Sequence, residues 1–236
     1  MKILAVDSSG LVASVALMED ENLIAEYTVN YKKTHSQTLL PMLDEIVSMT
    51  QTDLSTVDAI AVAKGPGSFT GLRIGSATVK GLGLALGKPI VGVPTLEGLA
   101  MNLCESDACI CPLMDARRNQ VYTGIYKFRD GQLQIVKEQV PIGIEEIIEA
   151  LNLIGERVVF LGDGVPVYQE VIKNNMEVPY SFAPPHMNRQ RAGAIGARAY
   201  DYYKQGLYVS AAEFEPDYLR LSQAERERME KEKNND

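Results

Sequence analysis

The chain has 236 residues, with 46% apolar and 23% charged side chains and a formal net charge of −8. That length holds one large domain or two lobes of roughly 100 residues each. The acidic balance and the lack of a basic stripe argue against strong autonomous binding to a phosphate backbone, though not against work on nucleic acid beside a basic partner.

The first segment, Met1 to Asp7, meets an acidic residue too soon for a signal peptide and reads as a buried strand. No apolar run approaches ~20 residues, which argues against a membrane-spanning helix. Strands are expected over 2–7, 12–18 and 23–30, turned by Ser8-Ser9-Gly10 and by Glu19 to Asn22. A helix follows over 36–50, with Leu39, Leu43, Ile46, Val47 and Thr50 near one face. Thr34 to Gln37 resembles a capping box, and Pro41 belongs near the first turn or marks a kink. A strand over 57–63, a glycine-rich loop, a helix over 71–87, a strand over 89–93 and a helix over 95–104 complete this half.

The pattern then begins again. Strands are expected over 108–115, 120–128 and 132–138, then a helix over 144–153, a strand over 157–161 and a helix over 166–175. Both halves run strand-strand-strand-helix-strand-helix, and in both an aspartate ends the first strand, Asp7 and Asp115. A repeat this long predicts duplication of a whole α/β unit, each a mixed sheet flanked by helices. The expected boundaries are a first lobe over 1–104, a second over 105–221 and a charged tail over 222–236. Residues 189–206 read as a helix of the second lobe, with Ala192, Ile195, Ala199 and Tyr202 at helical spacing. Residues 215–220 read as a short extended segment, and the polar tail as a frayed helix or disordered stretch.

The stretch Gly65-Pro66-Gly67-Ser68-Phe69-Thr70-Gly71-Leu72-Arg73-Ile74-Gly75 is a sharp strand-to-helix turn. It fits neither GxxxxGK[ST] nor GxGxxG, so it is neither of those phosphate motifs. Its residues alone leave open a functional loop or a tight structural turn. The helix that follows carries Gly75, Gly81 and Gly83 in its interior, and together they cost roughly 3 kcal/mol in helix propensity. Close packing is the natural compensation. Gly71, Gly75 and Gly83 form one smooth flank, and Ala77, Gly81 and Ala85 a second. One flank can lie on its own sheet while the other admits a neighbouring helix.

Cys104, Cys109 and Cys111 form no C-x2-C pair, so a reduced, cytoplasmic setting is expected. There are two histidines, His35 and His186, and no HExxH. Asp7 and Asp115, each beside a hairpin, resemble the two-lobed actin, sugar kinase and Hsp70 architecture, in which such hairpins grip nucleotide phosphates and Mg²⁺. Asp and Ser are also common turn residues.

Leu4-Ala5-Val6-Asp7-Ser8-Ser9, His35-Ser36, Gly65 to Gly75, Met114 to Arg118 with Val121-Tyr122, and Pro216 to Arg220 are together similar to the TsaB (YeaZ) family, the partner-subunit branch of the TsaD/glycoprotease-like proteins. The resemblance runs in order from residue 3 to about 220, and the string from Gly65 to Gly75 is its most specific part. It implies a non-catalytic scaffold and activating subunit. Its partner would be TsaD, which transfers a threonylcarbamoyl group to adenosine in tRNAs reading codons that begin with A. TsaE, an ATPase, would join them, and the chain alone would form a homodimer through the TsaD surface. tRNA would be met only through the complex.

The expected interface residues are Leu39, Leu43, Ile46, Gly71, Gly75 and Val79. A vestigial nucleotide-binding set is expected at Asp7, Ser8, Ser9 and Asp115. The resemblance implies no cofactor of its own, with ATP and Mg²⁺ left open at that set. Catalytic members carry an HxxxH metal motif; here Leu39 stands four residues after His35, so the second ligand is missing. Their glycine-glycine adenosine element is reduced to Gly162-Asp163-Gly164. The competing readings are a metal-dependent glycoprotease-type peptidase and an autonomous ATPase or small-molecule kinase of the same fold.

Overall fold

A computed structural model describes residues 1–31 and 34–219. It contains two five-stranded mixed sheets of matching topology. The first is built from β1 (Lys2–Asp7), β2 (Ala13–Glu19), β3 (Asn22–Val29), β4 (Ala59–Gly65) and β5 (Ile90–Pro94), in the order β3-β2-β1-β4-β5. The second uses β6 (Cys109–Asp115), β7 (Gln120–Arg129), β8 (Gln132–Gly143), β9 (Val158–Leu161) and β10 (Tyr180–Phe182), in the order β8-β7-β6-β9-β10. In each, the first strand pairs antiparallel with the second and parallel with the fourth. The duplicated actin, sugar kinase and Hsp70-like (ASKHA) fold is thus present strand for strand.

Among the described residues six α-helices cover these sheets: α1 (His35–Thr50), α2 (Phe69–Leu86), α3 (Thr95–Met101), α4 (Ile144–Ile154), α5 (Val165–Asn175) and α6 (Ala192–Lys204). Strand alternation sorts the first core into two layers. Leu4 and Val6 of β1 face α1 and α2, joining Leu39, Met42, Leu43, Ile46 and Val79. Ile3 and Ala5 face the opposite side, with Ala16, Ala59, Ala61, Ala192, Ile195 and Ala199. The alanine-rich layer lets α6 lie close: a Cβ on Gly196 would come within 2.6 Å of Met18 Cγ. In the second lobe, α4 and α5 cover Cys109, Cys111, Leu113 and Phe160.

The crossing helices correct the expected boundaries. α6 follows the second sheet in sequence but packs on the first, against Ile3, Ala5 and Ala16. α3 follows the first sheet and buries Leu96, Leu99 and Ala100 against Ile110, Met114 and Tyr126 of the second. The chain after α6 also returns to the first lobe: Val209 bridges to Ile90, and Ala211 and Phe214 enter its core. The segment from Ala192 to Phe214 therefore packs on the first lobe. Local periodicity shows that a helix has an apolar face but not which sheet receives it.

Other local expectations also change. Thr34 caps α1 without a side-chain bond, so the capping box is not formed, and Pro41 lies inside the helix. β8 runs on to Gly143 through Pro141, which is tolerated because β8 is an edge strand. Strand β10, three residues long, and a 3₁₀ turn at Leu54–Thr56 are too short to register as patterns. Arg220 and the tail over 222–236 lie outside the described residues.

Candidate functional site: the interlobe cleft and the outer helix face

A cleft of about 790 Å³ opens between the lobes. The first lobe contributes the β1–β2 turn, His35 and the glycine loop; the second contributes Met114, Asp115, Ala116, Arg117, Tyr122 and Asp163. Asp217, Tyr218 and Leu219 border it as well. The Tyr218 ring packs on Phe69 with centroids 4.8 Å apart, and the Arg73 guanidinium lies 4.1 Å from the Phe69 centroid.

The first-lobe turn is closed on itself. The buried Asp7 carboxylate accepts hydrogen bonds from the Ser9 amide at 2.9 Å and the Ser9 hydroxyl at 2.6 Å. Burial pushes its pKa up to about 6, against the two Ser9 bonds and the nearby His35. Ser8 Oγ donates to the Gly71 carbonyl at 2.9 Å. The Ser68 amide donates to the Ser9 carbonyl at 2.6 Å, so the glycine loop is sewn to the hairpin. Glycine is required where they touch: a Cβ on Gly67 or Gly71 would run into the carbonyl oxygen of Ser9 or Ser8. His35 Nε2 donates to the Gly10 carbonyl at 2.8 Å.

These contacts test the residues against a nucleotide phosphate and Mg²⁺, and Asp7, Ser8 and Ser9 do not fit. The Asp7 carboxylate does not line the cleft, because it is folded under its own turn. Ser8 and Ser9 are buried, with Ser8 Oγ committed to Gly71 and Ser9 Oγ to Asp7. The Ser68 amide, at the start of α2, is also committed. Of the expected set, Asp115 alone is exposed at the cleft. Its carboxylate accepts the Arg117 amide at 2.8 Å and the Tyr168 hydroxyl at 3.3 Å. Burial raises the pKa of neighbouring Asp163, which accepts the Asp115 amide at 3.3 Å. Gly162 and Gly164 serve close packing on Leu113: a Cβ on Gly162 would strike the Leu113 carbonyl. Among the described residues, no three His, Cys, Asp or Glu side chains gather as metal ligands.

The outer face of α1 and α2 corrects the expected interface residues. Leu39, Leu43, Ile46, Gly71, Gly75 and Val79 are all buried in their own lobe. A Cβ on Gly75 would run into Ser8 Oγ, and one on Gly83 would meet Ala211 Cβ at 2.8 Å. That flank holds α2 onto its own lobe. The second flank is the open one: Ala77, Gly81 and Ala85 are exposed, and nothing lies within 4 Å of a Cβ built on Gly81. Large apolar side chains stand out from the same two helices, with Leu40 54%, Met49 76% and Leu84 65% exposed. Leu40 could have been found from Leu39 by helical phase, since adjacent residues point about 100° apart.

Comparison with known proteins agrees with this fold. The family model of TsaD, tRNA N6-adenosine threonylcarbamoyltransferase, matches residues 22–228. The tRNA threonylcarbamoyladenosine biosynthesis protein TsaB of Bacillus subtilis (strain 168) is 33% identical over 233 residues, covering 99% of this chain and 100% of that protein. TsaB of Escherichia coli (strain K12) is 29% identical, covering 93% of this chain and 95% of that protein. The solved structure of YeaZ from Pseudomonas aeruginosa superposes with a TM-score of 0.80 at 28% identity, over 92% of this chain and 99% of that one. The activator of the 2-hydroxyisocaproyl-CoA dehydratase from Clostridium difficile shares the fold alone, with a TM-score of 0.51 at 10% identity, over 87% of this chain and 97% of that one. The chain belongs to the TsaD family, and within it to the TsaB proteins of tRNA threonylcarbamoyladenosine biosynthesis.

Proposed function

We propose that this chain is the non-catalytic partner subunit that docks on TsaD in the assembly forming N6-threonylcarbamoyladenosine in tRNA. The observation that carries the reading is the open flank of α2. Ala77 and Gly81 offer a smooth stripe on which another helix can lie, and Leu84 adds an exposed apolar side chain at the same helical phase. Such a pair of helices can meet an equivalent pair on a paralogue, or itself across a two-fold axis. The chain alone would then form a homodimer that TsaD replaces, with TsaE joining the heterodimer. The net charge of −8 fits a subunit that meets tRNA only through the complex. The reading assigns no cofactor to the chain itself and places it in the cytoplasm; among the described residues no helix is long and apolar enough to cross a membrane.

The absence of the second histidine of HxxxH, where Leu39 stands, favours this reading over a peptidase, and the committed Asp7 turn favours it over an ATPase. The test is a reconstitution. The chain, TsaD, and both together receive tRNA and threonylcarbamoyl-adenylate, with TsaE and ATP present and absent. Modified tRNA is expected only where TsaD is present, and at a higher rate when this chain is added. Turnover by the chain alone, free of TsaD, would overturn the reading.

A further inference from the structure

Two helices cross between the lobes, and one buried polar cluster joins them. Glu97 on α3 is 3% exposed, and Arg198 on α6 is 8% exposed. Arg198 Nε donates to Glu97 Oε2 at 2.7 Å. The Tyr202 hydroxyl approaches both Glu97 oxygens, at 2.9 and 2.8 Å. The guanidinium also lies over the Tyr202 ring, 4.5 Å from its centroid. Burial opposes the charge on Arg198, yet Glu97 holds its pKa above the ordinary value. Burial and Glu97 together push Tyr202 up to about 12.

The position of this cluster gives it meaning. α3 leaves the first sheet and lies between the two, touching β4 and β5 as well as β6, β7 and β8, while α6 leaves the second sheet and packs on the first. A rotation of the lobes that carries α3 with the second sheet slides it along α6. Apolar ridges and grooves re-seat in a neighbouring register. A charged cluster does not, because a shift of one residue, about 1.5 Å along a helix, breaks its bonds. Glu97 would then be left unpaired in a dry interface, while Arg198 keeps Asp201 of its own helix at 3.5 Å. The backbones are also close: a Cβ on Gly98 would run into Ile195 Cδ1.

We propose that Glu97, Arg198 and Tyr202 form a latch that fixes the angle between the two lobes and holds the cleft at one width. The latch makes the outer face of α1 and α2 part of a rigid body that includes the second lobe. It operates whatever partner that face meets.

The test places spin labels on the two lobes, at Glu21→Cys and Glu149→Cys in a Cys104→Ser background. Labelled chain is diluted with unlabelled chain, and the distance is read by double electron–electron resonance. One narrow distance is expected for the otherwise unaltered protein. Glu97→Gln and Arg198→Met are expected to broaden it or add a second distance, with unchanged circular dichroism. Tyr202→Phe, which keeps the ring and removes one donor, is expected to broaden it less. A broad distribution before any latch substitution would overturn the proposal. So would unchanged distances in folded latch variants. If both charge variants unfold, Tyr202→Phe decides, and an unchanged distance there overturns the latch.

Discussion

The Ser8 hydroxyl occupies the place that a side chain at Gly75 would need, while it donates to the Gly71 carbonyl at 2.9 Å. This contact ties the β1–β2 turn to the first two turns of α2. Alanine at position 75 would gain about 1 kcal/mol of helix propensity but lose roughly 1–3 kcal/mol to overpacking. Gly75→Ala is therefore expected to lower stability by up to about 2 kcal/mol. With Ser8→Ala the nearest obstacle is removed, leaving Ser8 Cβ and Val62 Cγ2 at 3.7 Å. In that background Gly75→Ala is expected to stabilise. A double-mutant cycle by urea unfolding measures the coupling, and additive effects would show that the hydroxyl is not the obstacle.

The two glycine flanks of α2 predict opposite outcomes for arginine. Gly75→Arg is expected to prevent folding, because the side chain has no exit past Ser8. Gly81→Arg points into open space and should fold normally. It should weaken self-association and binding to TsaD by at least about 100-fold, since a long charged side chain would lie in the helix contact. Size-exclusion chromatography with light scattering and titration calorimetry report both effects. A Gly81→Arg chain that still binds TsaD normally would move the docking face elsewhere.

Asp7 gives stability a pH dependence opposite to that of a salt-bridged carboxylate. Its folded pKa is raised from 3.8 to about 6 by burial. Between those values the folded chain binds the proton more strongly than the unfolded chain does. The Asp7 contribution therefore falls as pH rises from about 4 to about 6, by up to roughly 3 kcal/mol, and is flat above that. Asp7→Asn, which keeps an oxygen for Ser9, is expected to remove this part of the curve. Melting temperature against pH for both proteins gives the difference. Parallel curves would mean that Asp7 titrates normally in the folded state.

Thiol reactivity should separate the three cysteines. Cys104 is exposed, whereas Cys109 and Cys111 lie in the second core. Burial raises the Cys109 thiol and pushes Cys111 up to about 12. At pH 8 a disulfide reagent is expected to titrate one thiol rapidly in the native protein and three after denaturation. Rapid reaction of all three in the native state would mean that the second core opens readily.

Much of the fold was legible because its signals are local. The continuous apolar runs Ile3–Val6 and Ala59–Ala63 mark strands buried on both faces, and they pair in parallel. The repeated order of elements, with an aspartate closing each first strand, predicted two matching sheets. The smooth second flank of α2, Ala77, Gly81 and Ala85, was legible too, as a surface that a helix could approach.

What the sequence could not settle was which of two similar faces turns inward, and toward which sheet. Gly75 and Gly81 are chemically the same residue. The Ser8 turn beneath α2 and the Ala211 strap beside it make one flank internal and leave the other open. α6 has the same apolar spacing whichever sheet it covers, and the alanine layer of Ala5, Ala16 and Ala61 receives it in the first lobe. Asp7 was legible as a turn residue, but its desolvation was not. Sequence determines which groups a segment carries, and tertiary packing decides which keep their water; that decides whether a carboxylate serves a ligand or its own turn.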